Sequence, residues 1–460
     1  MTDTAVDLVI LGGGSAGYAC AMRAAELGSS VVLIERDKLG GTCLHRGCVP
    51  TKALLHAAEV ADEIREAAAV GLKASFEGVD VEGMNGYKNS IVAKHFKGLT
   101  GLVASHGVTV VAGDGKFVGP RSVQVGSGAD AVTYTGTNVV LATGSYSQSL
   151  PGLAIEGRVI TSEQALDLEW VPRKALVLGG GVIGVEFASV WTSLGAEVTI
   201  VEALPSLVPN EDPWVTKQLE RAFRKRKIAF KTGVRFSSVT QDDNGVTVTL
   251  ETGETLSADL LLVAVGRGPN TEGTGFAEAG VEMDRGFVLT NERLATNLPN
   301  VFAAGDIVPG LQLAHRGFQQ GIFIAEEIAG LNPIVVPDSK VPRITYCDPQ
   351  IASIGLTEAE ATKQYGDVET MEYNTAGNAK TDILRTAGGV KVVRVKDGPV
   401  VGFHMVGARI GELLGEAQLI VNWEAYPEDV APYLHGHPTQ YEAIGETMMA
   451  MAGKPLHVHG

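Results

Sequence analysis

The chain contains one glycine-rich pattern twice, LVILGGGSAGYACAMRAAELGSSVVLIER at residues 8–36 and ALVLGGGVIGVEFASVWTSLGAEVTIVEA at residues 175–203. Each copy predicts a short apolar strand, a glycine turn, an Ala-rich helix and a second apolar strand that ends in glutamate. Glu35 and Glu202 follow the first glycine of their own copy at the same spacing of 23 residues. The repeat therefore predicts two domains of the same strand–turn–helix–strand construction.

Three glycines in each copy follow the spacing Gly-x-Gly-x-x-Gly, which predicts a dinucleotide site. The first glycine permits the turn, the second lets a pyrophosphate approach the backbone, and the third allows close helix–strand packing. The helix N-terminus offers N–H groups to the phosphates, and the glutamate accepts hydrogen bonds from a ribose. A single copy also fits a plain glycine turn, but two copies in this context favour two sites. The glycines are Gly12, Gly14 and Gly17 in the first copy and Gly179, Gly181 and Gly184 in the second.

Glu202 also bears on which dinucleotide the second site binds. Its carboxylate would repel the 2′-phosphate of NADP, and residues 203–205 supply no arginine, so NAD is favoured. Two dinucleotide sites in one chain suggest a hydride relay in which the other dinucleotide is a flavin. Asp306 follows an apolar stretch and could reach a flavin hydroxyl group, although capping of the next turn fits equally well.

The composition excludes several classes of protein. A chain of 460 residues corresponds to about three domains, and 45% hydrophobic residues fit a globular protein. A net charge of −16 disfavours nucleic acid and anionic membrane surfaces as partners. We expect no export or membrane-spanning segment and, with four cysteines, no disulfide framework, so the expected location is cytoplasmic.

Cys43 and Cys48 follow the first repeat directly and form the candidate redox centre. Residues 50–69 begin with proline and are rich in helix formers, which puts Cys48 near a helix N-terminus. The helix dipole favours the thiolate there, and the thiolate is the nucleophilic form. A redox disulfide is the favoured interpretation. Two inert thiols, or a metal site that recruits His45 or His56, are the alternatives.

Two further features are interpreted as structural. Cys20 and Cys347 are expected to be packing residues in the interior. The basic run RAFRKRK at residues 221–227 is expected to be the solvated face of a helix, with docking of a partner protein as the alternative. The inward-facing side chains beside this run are expected to be those of Leu219, Phe223 and Ile228.

Taken in order along the chain, these motifs resemble those of the flavoprotein pyridine-nucleotide-disulfide oxidoreductases. The resemblance covers essentially the whole chain and is strongest to the members that oxidise dihydrolipoamide. It implies an α/β fold with two Rossmann-like dinucleotide-binding domains, for FAD and NAD, and a C-terminal α+β dimerisation domain. The motifs that carry it, besides the two glycine fingerprints, are GGTCLHRGCVPTK at residues 40–52, ATGS at 142–145, VGRGPN at 265–270, AAGD at 303–306 and HGHPTQYE at 435–442.

The resemblance also implies roles for individual residues. Cys48 corresponds to the thiol that contacts the flavin, and Cys43 to the thiol that exchanges with the substrate disulfide. Lys52 corresponds to a lysine beside the flavin that pairs with Glu186 near the nicotinamide. No metal ligand is implied. The implied FAD contacts are Gly12, Gly14, Gly17, Glu35, Lys52, Thr143, Gly144 and Asp306, and the implied NAD contacts are Gly179, Gly181, Gly184, Glu202 and Gly266.

His437 and Glu442 correspond to the acid–base histidine of the family and the carboxylate that orients it. In the family this pair is supplied by the other subunit of a homodimer. The chemistry fits, because thiol–disulfide exchange needs a proton acceptor near neutral pH and imidazole provides one. A carboxylate on the second ring nitrogen would fix the tautomer. Glu442 also fits a plain helix cap, since TQYE at residues 439–442 is a capping-box pattern.

The division of the chain and its partners follow from the same resemblance. Lipoyl domains and the acyltransferase core of a 2-oxoacid dehydrogenase complex, or the glycine cleavage system, are the expected partners besides a second copy. The expected domains are an FAD-binding domain at residues 1–148 and 271–342, an NAD-binding domain at 149–270 and an interface domain at 343–460.

Other functions remain as alternatives. A glutathione-reductase-like enzyme is disfavoured by Glu202, and a mercuric-reductase-like enzyme by the absence of a cysteine pair near residue 460. A non-catalytic flavoprotein scaffold is disfavoured by the joint presence of Cys43, Cys48 and His437.

Overall fold

The computed structural model describes residues 3–119 and 121–457. Its first third alternates strands with helices, as the glycine pattern predicts. The elements are β1 (Asp3–Leu11), α1 (Ser15–Glu26), β2 (Val31–Glu35), α2 (Gly41–Arg46), α3 (Cys48–Glu66), α4 (Val81–Ser105), β3 (Thr109–Ala112), β4 (Gly115–Gly119), β5 (Ser122–Val125), β6 (Val132–Leu141) and β7 (Ser145–Ser147).

The middle third repeats this alternation and adds a small antiparallel meander. Its elements are β8 (Val159–Thr161), α5 (Ser162–Ala165), β9 (Lys174–Leu178), α6 (Val182–Ser193), β10 (Glu197–Val201), α7 (Pro213–Lys225), β11 (Ala229–Lys231), β12 (Phe236–Gln241), β13 (Val246–Leu250), β14 (Thr255–Ala258), β15 (Leu260–Val263) and β16 (Arg267–Pro269).

The last third returns to the first sheet and then builds a separate antiparallel sheet. Its elements are β17 (Met283–Asp284), β18 (Phe287–Val288), β19 (Val301–Ala303), α8 (Ala314–Ile328), β20 (Arg343–Thr345), β21 (Gln350–Gly355), α9 (Glu358–Tyr365), β22 (Val368–Asn374), α10 (Ala379–Ile383), β23 (Gly389–Val395), β24 (Val400–Gly407), α11 (Leu414–Asn422), α12 (Pro427–Val430) and α13 (Glu442–Met451).

The two glycine-rich repeats form the parallel centres of two sheets, of which the first also carries the antiparallel strands β5 and β4. The first sheet has the order β3-β2-β1-β6-β5-β4, and β19 also pairs with β6. The second has the order β11-β10-β9-β15-β8 and is parallel throughout. Helices α1 and α6 make the equivalent crossovers, from β1 to β2 and from β9 to β10. The predicted fold class, with two Rossmann-like units, is therefore confirmed.

The C-terminal sheet is antiparallel, with the order β20-β21-β24-β23-β22. One apolar core joins its strands to helices α11 and α13. Strand β21 lies near the middle of this sheet, and the short segment before it reaches back to helix α6. This sheet with its helices is the predicted α+β domain.

The residues interpreted as structural are buried as predicted. Cys20 and Cys347 are fully buried, and so are the inward-facing residues beside the basic run, Leu219, Phe223 and Ile228. Arg221 and Lys225 are exposed, as a solvated helix face requires. Arg226 differs, because its guanidinium contacts residues of α3 and of the C-terminal domain. Within residues 3–119 and 121–457, we find no helix long and apolar enough to cross a membrane.

Candidate active site

Cys43 and Cys48 lie on consecutive helices that only Gly47 separates. Helix α2 carries Cys43, and α3 begins at Cys48. No side chain caps the N-terminus of α3, so its first N–H groups remain available at the end where Cys48 lies. The two thiols hydrogen-bond to each other. The structure thus brings together the two cysteines that the sequence singled out.

The hydrogen bond between the thiols separates their acidities. Donation from Cys43 lowers the pKa of Cys48 to about 7, against the opposing effect of burial and with a further contribution from the Lys52 ammonium. The same hydrogen bond, together with burial, raises the pKa of Cys43 well above its usual value. In the reduced pair, Cys48 is therefore the thiolate near neutral pH, and Cys43 keeps its proton.

Lys52 lies one turn after Cys48 on α3 and reaches the second nucleotide fold. Its ammonium donates to both carboxylate oxygens of Glu186 on α6, at 2.9 and 2.8 Å. The backbone N–H of Tyr346 donates to the same carboxylate at 2.9 Å, and the Tyr346 ring lies 4.7 Å from the ammonium. These contacts of Lys52, Glu186 and Tyr346 join α3, α6 and the segment after β20 beside the thiols. No sequence pattern marks Tyr346 for this contact, because its backbone N–H makes it.

The first glycine turn forms a cradle beside the N-terminus of α1. Gly12 has a positive φ of 107°, and a side chain there would collide with the backbone of Ala142. Gly14 faces open space, and α1 has no capping side chain and no acidic residue in its first turn. Glu35 accepts the Gly13 N–H at 2.6 Å. These free N–H groups and this space fit the phosphates of a dinucleotide.

The second glycine turn repeats this geometry at α6. Gly179 has a φ of 110°, and Gly181 faces open space at an uncapped helix N-terminus. Glu202 is 9% exposed and accepts the N–H groups of Gly180 at 2.6 Å and Leu204 at 2.7 Å. The third glycines, Gly17 and Gly184, pack so tightly against the first that no side chain fits. Both turns therefore fit a dinucleotide equally well.

The remaining predicted cofactor contacts meet where β7 pairs with β16. Ser145 donates to Asp306 at 2.5 Å, and Arg267 donates to the Ser145 hydroxyl at 2.8 Å. Thr143 donates to the backbone oxygen of Asn270 at 2.7 Å. The sequence reasoning missed Ser145 and Arg267, although both lie inside the quoted motifs. The predicted contacts in these turns are Thr143, Gly144, Gly266 and Asp306.

His437 and Glu442 meet at the start of α13, on the C-terminal domain. Nδ1 of His437 lies 2.8 Å from the carboxylate of Glu442, so Nδ1 carries the proton because a carboxylate only accepts. The N–H of Thr439 donates to the other oxygen of Glu442 at 2.7 Å. Burial would raise the pKa of Glu442, but these two hydrogen bonds lower it below its usual value. The histidine side chain is 73% exposed, with Nε2 free to act outside its own chain.

The alternative of a metal site finds no support in the geometry. His45 bonds the backbone oxygen of Leu39 at 2.8 Å and packs against Phe96, while His56 pairs with Glu59. In the part of the chain that the structure describes, no three His, Cys, Asp or Glu side chains group to hold a metal ion.

Comparison with known proteins assigns this arrangement to a family. The pyridine nucleotide-disulphide oxidoreductase family matches residues 6–321, and the dimerisation domain of the same family matches residues 341–448. The chain belongs to this family. It is accordingly a flavoprotein oxidoreductase that uses FAD and NAD, and it carries the part of the family's fold through which two copies form a dimer.

Relatives within the family match over nearly their whole length. Dihydrolipoyl dehydrogenase 1, mitochondrial, from Arabidopsis thaliana is 39% identical, covering 98% of this chain and 91% of the relative. A dihydrolipoyl dehydrogenase from Bacillus subtilis is 36% identical and covers 99% of both. Among solved structures, LpdA from Mycobacterium tuberculosis is 28% identical with a TM-score of 0.90, covering 97% of this chain and 99% of that one.

Proposed function

We propose that this protein oxidises dihydrolipoamide to lipoamide and passes the two electrons through Cys43 and Cys48 to FAD and then to NAD. The observation that carries the proposal is the thiol pair itself, with a thiolate-forming Cys48 next to the Lys52–Glu186 ion pair between the two nucleotide folds. The choice of substrate is supported by the names of several relatives, which are dihydrolipoyl dehydrogenases at 34–39% identity, while two relatives at 38% identity are named leghemoglobin reductase.

The thiol chemistry starts from the oxidised Cys43–Cys48 pair. The partner subunit's His437 takes a proton from one thiol of the substrate, and Glu442 stabilises the resulting imidazolium. The substrate thiolate attacks Cys43, the Cys43–Cys48 bond breaks, and Cys48 leaves as a thiolate. The second substrate thiol then displaces Cys43 and gives its proton to that leaving sulfur, so that lipoamide forms, Cys43 is left as the thiol and Cys48 as the thiolate.

The groups around the reduced pair prepare it for reoxidation. When bound, FAD would supply the acceptor for two electrons from the pair, and NAD would supply the acceptor for the hydride. The Lys52 ammonium holds Cys48 as a thiolate and is itself held by Glu186. The glycine turns supply N–H groups to the two pyrophosphates. Glu35 and Glu202 each keep a glycine turn in shape and present a carboxylate beside it for a ribose.

We also propose the division of the chain given above. FAD is bound by residues 1–148 and 271–342, NAD by 149–270, and residues 343–460 complete the active site of the second copy. Support comes from the pairing of β7 with β16, which brings the two predicted boundaries near residues 148 and 270 side by side.

For partners, we propose lipoyl domains that deliver the dithiol and the acyltransferase core of a 2-oxoacid dehydrogenase complex. The exposed basic side chains of residues 221–227 are one docking candidate on this surface. Reversal of the charges of Arg221 and Lys225 tests that surface. Unchanged binding to the purified core would exclude it, without affecting the assigned reaction. A cytoplasmic location stays a prediction.

The decisive experiment is turnover of dihydrolipoamide by the purified dimer with NAD, with NADP and oxidised glutathione in parallel. Fast reduction of NAD, with little activity towards NADP, is the expected result. If NADH reduced the flavin while lipoamide did not turn over, the substrate would be another disulfide, as in a glutathione-reductase-like enzyme. A protein inactive with every disulfide would be a flavoprotein scaffold.

A further inference from the structure

One face of helix α6 forms a polar seam with the other domains. Glu186, Ser189 and Ser193 lie on this face, three and seven residues apart, and all three are buried. Glu186 accepts the N–H of Tyr346 at 2.9 Å, and the Ser189 hydroxyl accepts the N–H of Asp348 at 3.1 Å. The segment between β20 and β21 is therefore fixed along this helix.

Arg226 lies at the C-terminal end of this polar face of α6, beside Ser193. Its guanidinium donates to the Ser193 hydroxyl at 2.7 Å and to Asp62 of α3 at 3.2 Å. It also donates to the backbone oxygen of Asp348 at 3.0 Å and pairs with the Asp348 carboxylate at 3.3 Å. Ser193 completes the junction by donating to Asp62 at 2.5 Å. One side chain thus joins α3, α6 and the C-terminal domain.

Helices α3 and α6 contact each other near their N-terminal ends and again near their C-terminal ends. At the N-terminal end, Lys52 of α3 pairs with Glu186 of α6, next to the thiols. Asp62 lies ten residues further along α3 and Ser193 seven residues further along α6, which are advances of about 15 and 10 Å. Arg226 therefore fastens the far end of the α3–α6 pair, where Arg65 of α3 also donates to the backbone oxygen of Ser193.

We propose that Arg226 is a positioning residue for the hydride step between the flavin and the nicotinamide. Helix α6 begins directly after Gly181 of the NAD turn, while α3 begins at Cys48 and carries Lys52 towards the flavin. A rotation of α6 against α3 moves one cofactor relative to the other. Hydride transfer needs the reacting atoms about 3–3.5 Å apart, so a small rotation is costly. The proposal rests on the cofactors of the family and not on dihydrolipoamide as substrate.

The charges around the junction explain why Arg226 is needed there. Burial raises the pKa of Asp348, Arg226 opposes this effect, and the nearby carboxylates of Asp62, Glu59 and Glu66 add to it. Without the guanidinium, Asp348 loses its cation, and Asp62 keeps only Arg65, which pairs with its other oxygen at 3.0 Å. Repulsion and the loss of four contacts would then separate α3, α6 and the segment before β21.

The test compares Arg226→Gln with Arg221→Gln, which removes the same charge from an exposed position of the same basic run. Rapid mixing with NADH under anaerobic conditions, without any disulfide substrate, measures the hydride step as loss of flavin absorbance. We expect Arg226→Gln to slow this step roughly ten- to a hundredfold and Arg221→Gln to leave it unchanged. Because no dithiol is present, a wrong substrate assignment would not alter this result.

Two further measurements separate positioning from general damage. Amide hydrogen exchange should accelerate at residues 186–193 and 343–349 in Arg226→Gln only, and Arg226→Lys should recover part of the rate, since an ammonium cannot reach all acceptors. Wild-type hydride transfer in Arg226→Gln, or equal slowing of reduction by NADH and by dithiol, would overturn the proposal. If Arg226→Gln fails to fold, Asp348→Asn serves instead. Asp348→Asn weakens one contact of Arg226, the one with the Asp348 carboxylate. We expect it to slow flavin reduction by NADH less than Arg226→Gln does, and to leave reduction by dithiol unchanged.

Discussion

The ammonium of Lys52 donates to both carboxylate oxygens of Glu186, at 2.9 and 2.8 Å, and this ion pair links the thiol helix to the second nucleotide fold. Burial alone would lower the pKa of Lys52, but the carboxylate outweighs it and the pKa is raised. The Lys52 side chain therefore stays a cation. The pair holds a cation next to Cys48 while the Tyr346 N–H stabilises the carboxylate.

Replacement of Lys52 by methionine tests the two roles of this ion pair. Glu186 is 3% exposed and would be left without its cation, so we expect a loss of roughly 3 kcal/mol in the free energy of unfolding. The pKa of Cys48 should rise, because the ammonium that lowers it is gone. Urea unfolding at saturating FAD measures the first effect, and the pH dependence of alkylation of reduced protein measures the second.

The double variant Lys52→Met with Glu186→Gln is the control for stability. Removal of both charges leaves no buried unpaired carboxylate, so most of the lost unfolding free energy should return. In the double variant the pKa of Cys48 should still be higher than in the wild type, but by less than in Lys52→Met. The negative charge of Glu186 raises that pKa, and the double variant no longer carries it. A double variant as unstable as Lys52→Met would refute the assigned cost of the isolated carboxylate.

Cys43 is predicted to set the acidity of Cys48 by donating a hydrogen bond. In Cys43→Ala the donor is missing, so the pKa of Cys48 should lie above its value of about 7 and nearer the usual value of a free thiol. Cys43→Ser keeps a hydroxyl donor, so its Cys48 should have a pKa between those of the wild type and Cys43→Ala. Alkylation rates across a pH series report the pKa directly, since each variant has one thiol at the site. Equal pKa values for the alanine and serine variants would rule out the hydrogen bond as the cause.

Glu202 is predicted to exclude NADP from the second glycine turn. Glu202→Gln removes the charge and retains an oxygen for only one of the two N–H groups, those of Gly180 and Leu204, that the carboxylate accepts. We expect the ratio of kcat/KM for NADP to that for NAD to rise about tenfold, since the repulsion of a phosphate is lost. Glu197→Gln on the same strand, at the exposed end that pairs with Lys174, is the matched control. An unchanged ratio in Glu202→Gln would place the selectivity elsewhere.

The sequence predicts what short-range patterns determine. The equal spacing of Glu35 and Glu202 from their glycines leads to equal contacts, because each carboxylate accepts the N–H of the glycine that follows the first at 2.6 Å. The inward face of α7 also follows from periodicity. Arg226 and Tyr346 escaped prediction because Asp62, Asp348 and Glu186, which they contact, lie more than a hundred residues away from them. The contact of Tyr346 is also made by a backbone N–H, which any residue provides.

His437 is predicted to act in the active site of the other subunit, and mixed dimers test this. A chain with Cys48→Ser and a chain with His437→Gln should each form nearly inactive homodimers. A heterodimer purified through two different tags would hold one intact site of two, so we expect about half of the wild-type activity. If each histidine served its own chain, both sites of the heterodimer would be defective and no activity would return. His457→Gln is the matched control, because His457 also pairs with a glutamate of α13, at 2.7 Å, and its homodimer should remain active.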